Sequence, residues 1–269
     1  MNISPLFLPS SNKIWSDSDT TRVGGVTRVR QRGQLLGSIA IVLFAITGFA
    51  QPTQVPVFDS GVHIQTFQRP GDLSVRYAIS IPKGYTSSKP VPLVLALHYG
   101  GSPNGAAQGV LLTLVQPAFA DLGAIIVAPE SVRGAWSTAE NDHAVSALLD
   151  AVQASYRIDP KRIAVTGYSM GGTGVWFFAG KYPERFSAAV PVAGMPPASA
   201  GNWRTPVFAV HSRNDEVMPI GPTETRIKEL QKAGVRAELV VLTGISHYET
   251  NRFVDGLRRA VPWLKETWK

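Results

Sequence analysis

The 269-residue chain contains no cysteine. That absence excludes disulfides, thiolate metal sites, a cysteine nucleophile and a lipid-modified N-terminal cysteine. Histidine is also scarce. The five residues His63, His98, His143, His211 and His247 show neither H-x-x-x-H nor H-E-x-x-H spacing, so no helical zinc site is expected, nor any other metal or organic cofactor. Clustered charge is missing as well. The net charge is +7, but the first 50 residues hold five basic and two acidic residues, which leaves 21 basic and 17 acidic for the remaining 219. No basic run exceeds the pair Arg258–Arg259, and no aromatic-basic segment of the RNA-binding kind occurs. A nucleic-acid partner is therefore not expected. What remains is an ordinary globular composition, 44% hydrophobic and 17% charged, in a chain long enough for one well-buried domain.

The longest apolar run is Leu35 to Phe49, preceded by Arg28, Arg30 and Arg32 and closed by Gly48-Phe49-Ala50. A positive region, a short apolar stretch and a small-x-small site form the pattern of a secretory signal peptide. The run is short of the roughly 20 residues a spanning helix needs. The expected division is therefore 1–50, a disordered extension plus signal peptide cut after Ala50, and 51–269, a single catalytic domain. The mature chain is expected to be secreted or periplasmic, without stable membrane insertion. An uncleaved anchor at Leu35–Phe49 is the alternative.

Beyond Pro56, strand-like and helix-like segments alternate. Leu73 to Ile81 alternates in the β manner. Val91–Leu97, Ala124–Ala128, Arg162–Thr166, Ala188–Val192, Pro206–Val210 and Ala237–Leu242 are short apolar runs suited to strands covered on both faces. Helix-like stretches lie between them. In "ENDHAVSALLDAVQASY", Val145, Leu148, Leu149 and Val152 fall on one face. "AAQGVLLTLVQPAFADLG" is interrupted near Pro117, and "TETRIKELQKAG" ends on Gly234. Strands alternating with helices predict an α/β fold, with a mainly parallel sheet flanked by helices on both faces. Connections are short, so no large lid is expected.

In such sheets ligands bind beyond the carboxyl ends of the strands. His98, Glu130, Ser169, Asp215 and His247 all fall there. "RIAVTGYSMGG" drives a strand into a glycine-flanked serine and then a helix-compatible run. The flanking Gly167 and Gly171 leave room for a tight turn that lifts the Ser169 oxygen clear of the sheet. A serine hydroxyl needs a base, and the base an orienting acid. The loops after the next strands supply Asp215 and His247, in the order Ser, Asp, His of the α/β-hydrolase fold. Glu216 is a rival acid.

The stretches "YAISIPKGYTSSKPVPLVLALHYGG", "RIDPKRIAVTGYSMGGTGVWFFAGKYPERFSAAVPVAG", "PVFAVHSRNDEVMP" and "GISHYE" resemble the lidless α/β-hydrolases of the dienelactone-hydrolase type. That group is related to secreted feruloyl esterases, polyhydroxyalkanoate depolymerases and the predicted-peptidase group. The resemblance implies Ser169 as nucleophile, His247 as base and Asp215 as its partner. It implies cleavage of small-molecule or polymer-attached carboxylic esters through an acyl-enzyme. A serine peptidase or amidase on the same residues, and a non-catalytic binding protein on the scaffold, are the alternatives. The chain departs from the family in reading "LHYGG" where "LHG" is common, so Tyr99 takes the place of the first glycine. Two backbone N–H donors must hold an oxyanion. Met170 supplies one, and Tyr99 or Gly100 the other. His98 reads as a structural hydrogen-bonder beneath that loop. Trp136, Tyr168 and Tyr248 are candidate substrate-binding aromatics, with core packing the competing reading.

Overall fold

The structure is a computed structural model, and it describes residues 54–69, 71–199 and 201–269. The expected signal peptide lies outside the described residues. Eight strands form one sheet: β1 (Gly61–Phe67), β2 (Val75–Ile81), β3 (Val91–Leu97), β4 (Ile125–Pro129), β5 (Ile158–Tyr168), β6 (Ala188–Val192), β7 (Val207–Ser212) and β8 (Ala237–Leu242). Their order across the sheet is β1-β2-β4-β3-β5-β6-β7-β8. β1 pairs antiparallel with β2, and β2 with β4. Every later pairing, from β3 with β4 to β7 with β8, is parallel. The fold class is thus the one expected: a mainly parallel sheet between helices.

Each parallel strand is apolar on both faces because each face has its own core. In β3, Leu93, Leu95 and Leu97 point to one side, with the helices α3 (Ala139–Ser155), α4 (Met170–Lys181) and α5 (Gly221–Lys232). Val94 and Ala96 point to the other. There they meet α1 (Ala106–Val110), a π turn (Leu111–Val115), α2 (Gln116–Phe119), α6 (Val254–Arg258) and α7 (Ala260–Thr267). The strand period of two thus divides one run of leucine, valine and alanine between two cores. The helix expected to break near Pro117 does so over a wider span. Pro117 cannot donate a backbone hydrogen bond to the preceding turn, and the chain passes through the π turn just ahead of it.

Two expectations need correcting. β1 has no counterpart among the expected strands. It is an edge strand, exposed or half-exposed along all of its length except Phe67, so it lacks the apolar run that marks its neighbours. Leu73, expected to open the strand that becomes β2, lies before it begins and is 56% exposed.

Candidate active site

The loops that follow β3, β4, β5, β7 and β8 carry His98, Glu130, Ser169, Asp215 and His247 at one edge of the sheet. β5 runs into α4 with a single residue between them, Ser169, whose φ of 58° and ψ of −116° place it in a strained region. Neighbouring backbone holds it there. The Ser169 N–H donates to Val192 O (3.0 Å), and Ser169 O accepts from the Thr173 N–H (3.0 Å). The glycines around it are a packing necessity. A Cβ on Gly171 would lie 2.0 Å from Leu97 O, and one on Gly167 would lie 2.5 Å from Gly171 O.

The serine hydroxyl meets an imidazole at once: His247 Nε2 is 2.8 Å from Ser169 Oγ. The other ring nitrogen, Nδ1, is 2.8 Å from Asp215 Oδ2. Nδ1 therefore carries the proton given to the carboxylate, and Nε2 faces the hydroxyl as an acceptor. Asp215 Oδ1 accepts from the Val217 N–H (3.0 Å) and the Met218 N–H (2.6 Å). Two amides and one imidazole thus fix the carboxylate, whose side chain is fully buried. Glu216 turns the other way. Its carboxylate accepts from the Ser246 hydroxyl (2.5 Å) and the His247 N–H (3.1 Å), and those bonds, the hydroxyl's first, hold its pKa below the usual carboxylate range. It secures the backbone of the histidine loop and leaves the ring to Asp215.

The loop after β3 is anchored from below. His98 is wholly buried. Its Nδ1–H donates to Tyr99 O (2.6 Å), and its Nε2 accepts from the Ser131 N–H (3.0 Å). Burial lowers its pKa, which matches a neutral ring that must accept at Nε2. Glu130 Oε1 accepts from the Gly105 N–H (2.6 Å) at the far end of the same loop. Gly100 faces the start of α4, where its missing Cβ would lie 3.8 Å from Met170 Cβ. The loop and the helix N-terminus therefore stand side by side at the serine.

The sequence pattern of the dienelactone hydrolase family matches residues 127–254. The chain has the α/β-hydrolase fold and resembles the dienelactone-hydrolase type. It is 31% identical over 172 residues to a protein of Aspergillus terreus named "Probable feruloyl esterase C", covering 60% of this chain and 63% of that one. It is 28% identical over 154 residues to "Feruloyl esterase C" of Emericella nidulans, covering 54% and 56%. Among solved structures, a thermostable esterase superposes with a TM-score of 0.64 at 23% identity, over 76% of this chain and 62% of that one. The chain spans about six-tenths of the length of the curated relatives it matches.

In this α/β-hydrolase a cleft of about 630 Å³ opens over Ser169 and His247. Tyr99, Gly100, Thr113, Val217, Tyr248, Thr250 and Asn251 line it. Tyr248 is 78% exposed, edge-on to the His247 ring at 5.8 Å. Tyr168 reaches the cleft but is largely buried. Its ring stacks on His247 at 5.5 Å, and its hydroxyl donates to His247 O. Burial pushes that phenol's pKa up, so it stays a donor. Trp136 does not line the cleft; of the two readings the sequence left open for it, core packing holds. It is 1% exposed, and its Nε1–H donates to His98 O (3.0 Å). Its side chain also fills the space beside Gly174, where a Cβ would lie 2.7 Å away. It wedges the loop after β3 against α4 and is a core residue.

Sequence reasoning missed two contributors. Thr113 reaches the cleft from the π turn, where the 3.6-residue register that would place it is broken. His211, at the end of β7, is buried. Its ring bonds to Thr223 Oγ1 (3.0 Å) and donates to Met218 O (2.7 Å), and its Nε2 lies 3.5 Å from Asp215 Oδ2. The signal was present in "VFAVHSRND": a histidine one residue from the end of a buried strand, four residues ahead of the acid.

Proposed function

We propose that the protein is an exported serine hydrolase of carboxylic esters, with Ser169 as nucleophile, His247 as general base and Asp215 as the acid that orients it. The observation that carries this reading is the unbroken contact from Oγ of a strained elbow serine, through both nitrogens of one imidazole, to a buried carboxylate. Ser169 attacks the ester carbonyl while its proton passes to His247 Nε2. Asp215 holds the ring and balances the imidazolium charge. The N–H groups of Met170 and of Gly100 or Tyr99 stabilise the oxyanion, at the positive end of α4. His247 then protonates the departing alcohol, and water repeats the sequence on the acyl-enzyme.

Similarity to proteins named feruloyl esterases supports esters as the substrate class, and the open, tyrosine-lined cleft suits an aryl acyl group or a polymer-attached ester. The export pattern at Leu35–Ala50 supports a catalytic domain of 51–269 acting outside the cytoplasm. The test is turnover of p-nitrophenyl and feruloyl esters against peptide anilides by the purified protein, with Ser169→Ala beside it. Ester turnover and fluorophosphonate labelling that both vanish in the variant are expected. Faster cleavage of anilides than esters would replace the reading with a peptidase, and full turnover by Ser169→Ala would end it.

A further inference from the structure

Tyr99 opens the loop after β3, beside the serine, and its side chain has a defined seat. The ring reaches from the loop after β3 to α1, with its hydroxyl against Gly109: a Cβ there would lie 2.7 Å from Tyr99 Oη. Tyr168 meets the ring edge-on at 6.5 Å. Glycine is a poor residue inside a helix, and at Gly109 the tyrosine hydroxyl supplies the reason for it. The hydroxyl of Thr113, one turn on, donates to Gly109 O (2.8 Å) and lines the same cleft.

Resting on the ester-hydrolase reading, the direction of the substrate follows from proton transfer. His247 must deliver its proton to the alcohol oxygen, so the alcohol lies against His247, beside Tyr248, whose ring is 5.8 Å from the imidazole. The acyl chain then extends the other way, toward Tyr99 and α1. We propose that the Tyr99 side chain, seated over Gly109, closes the acyl end of the cleft and sets the length of acyl group the enzyme accepts.

The experiment compares kcat/KM for p-nitrophenyl acetate, butyrate and octanoate, and separately for phenyl and naphthyl acetates, in the wild type, Tyr99→Ala and Gly109→Ala. Tyr99→Ala should raise the octanoate-to-acetate ratio about tenfold or more, the scale set by methylenes gaining or losing a hydrophobic pocket. Gly109→Ala pushes on the far end of a flexible side chain, so the fold is kept while the ring tilts into the cleft. Its octanoate-to-acetate ratio should fall by a similar factor. The alcohol series should stay flat in both. Unchanged acyl ratios in both variants, or shifts in the alcohol series instead, would overturn the proposal while leaving the ester reading in place. A wild type inert on every ester and unlabelled by fluorophosphonate would overturn both. If Tyr99→Ala fails to fold, judged by its melting curve, Gly109→Ala alone decides.

Discussion

At the scale of single residues, the proposed chemistry is concentrated in three side chains, and its loss should be steep. Ser169→Ala is expected to cost on the order of 10⁶ in kcat if serine, histidine and aspartate act as a unit, measured on p-nitrophenyl acetate against the unchanged melting curve. A second prediction concerns the buried imidazoles His98 and His211, both held below their ordinary pKa by burial. In the unfolded chain each takes a proton near pH 6.5; in the folded chain each does so only at lower pH. The unfolded state therefore binds more protons below about pH 6.5, and stability should fall as the solution is acidified. Melting temperatures followed from pH 7.5 to 5 should decline. A flat series would mean that these rings are not held neutral. Glu216→Gln keeps the size of the side chain that holds Ser246 and the His247 amide. Because it leaves Asp215 on the ring, it should lower kcat far less than Asp215→Asn does.

At the scale of elements, the turn from β5 into α4 is where sequence and geometry agree most closely. Gly-Tyr-Ser-Met-Gly could be read as an elbow because glycine is required on both sides of it, and the backbone approaches at Gly167 and Gly171 give that requirement its size. Gly171→Ala, with a methyl 2.0 Å from Leu97 O, should destabilise by at least the roughly 1–3 kcal/mol of an overpacked core, read by denaturant unfolding. The choice of Asp215 over Glu216 came from the family resemblance and not from the chain's periodicity. Adjacent residues of an irregular loop have no periodicity to say which carboxylate turns inward. Trp136 stayed open between cleft and core for a related reason: its position after β4 put it at the correct edge, but no periodicity there says that its ring turns toward His98 O. β1 escaped notice because an edge strand that faces solvent needs no apolar run.

At the scale of the whole molecule, the sheet is closed on both faces, and its N-terminal lead-in is tied to the far end of α3. The Val55 N–H donates to Ser155 Oγ (2.8 Å), the Phe58 N–H donates to Tyr156 Oη (3.1 Å), and that phenol donates to Pro56 O (3.0 Å). Val55 itself is buried. A chain beginning at Gln51 should therefore melt as a complete domain. One beginning at Asp59 should lose about 1.5–3 kcal/mol from the apolar side chain alone, measured by thermal or urea unfolding.

The crowding around Gly167, Gly171, Gly172 and Gly194, where every added Cβ would fall within 2.5 Å of backbone, has a consequence for how this protein can change over generations. Those four positions tolerate only hydrogen, so the cradle of Ser169 is frozen against mutational drift. New specificities must be sampled around the cleft, at 99, 113, 217, 248 and 250–251, and a randomised library for altered substrate range belongs there.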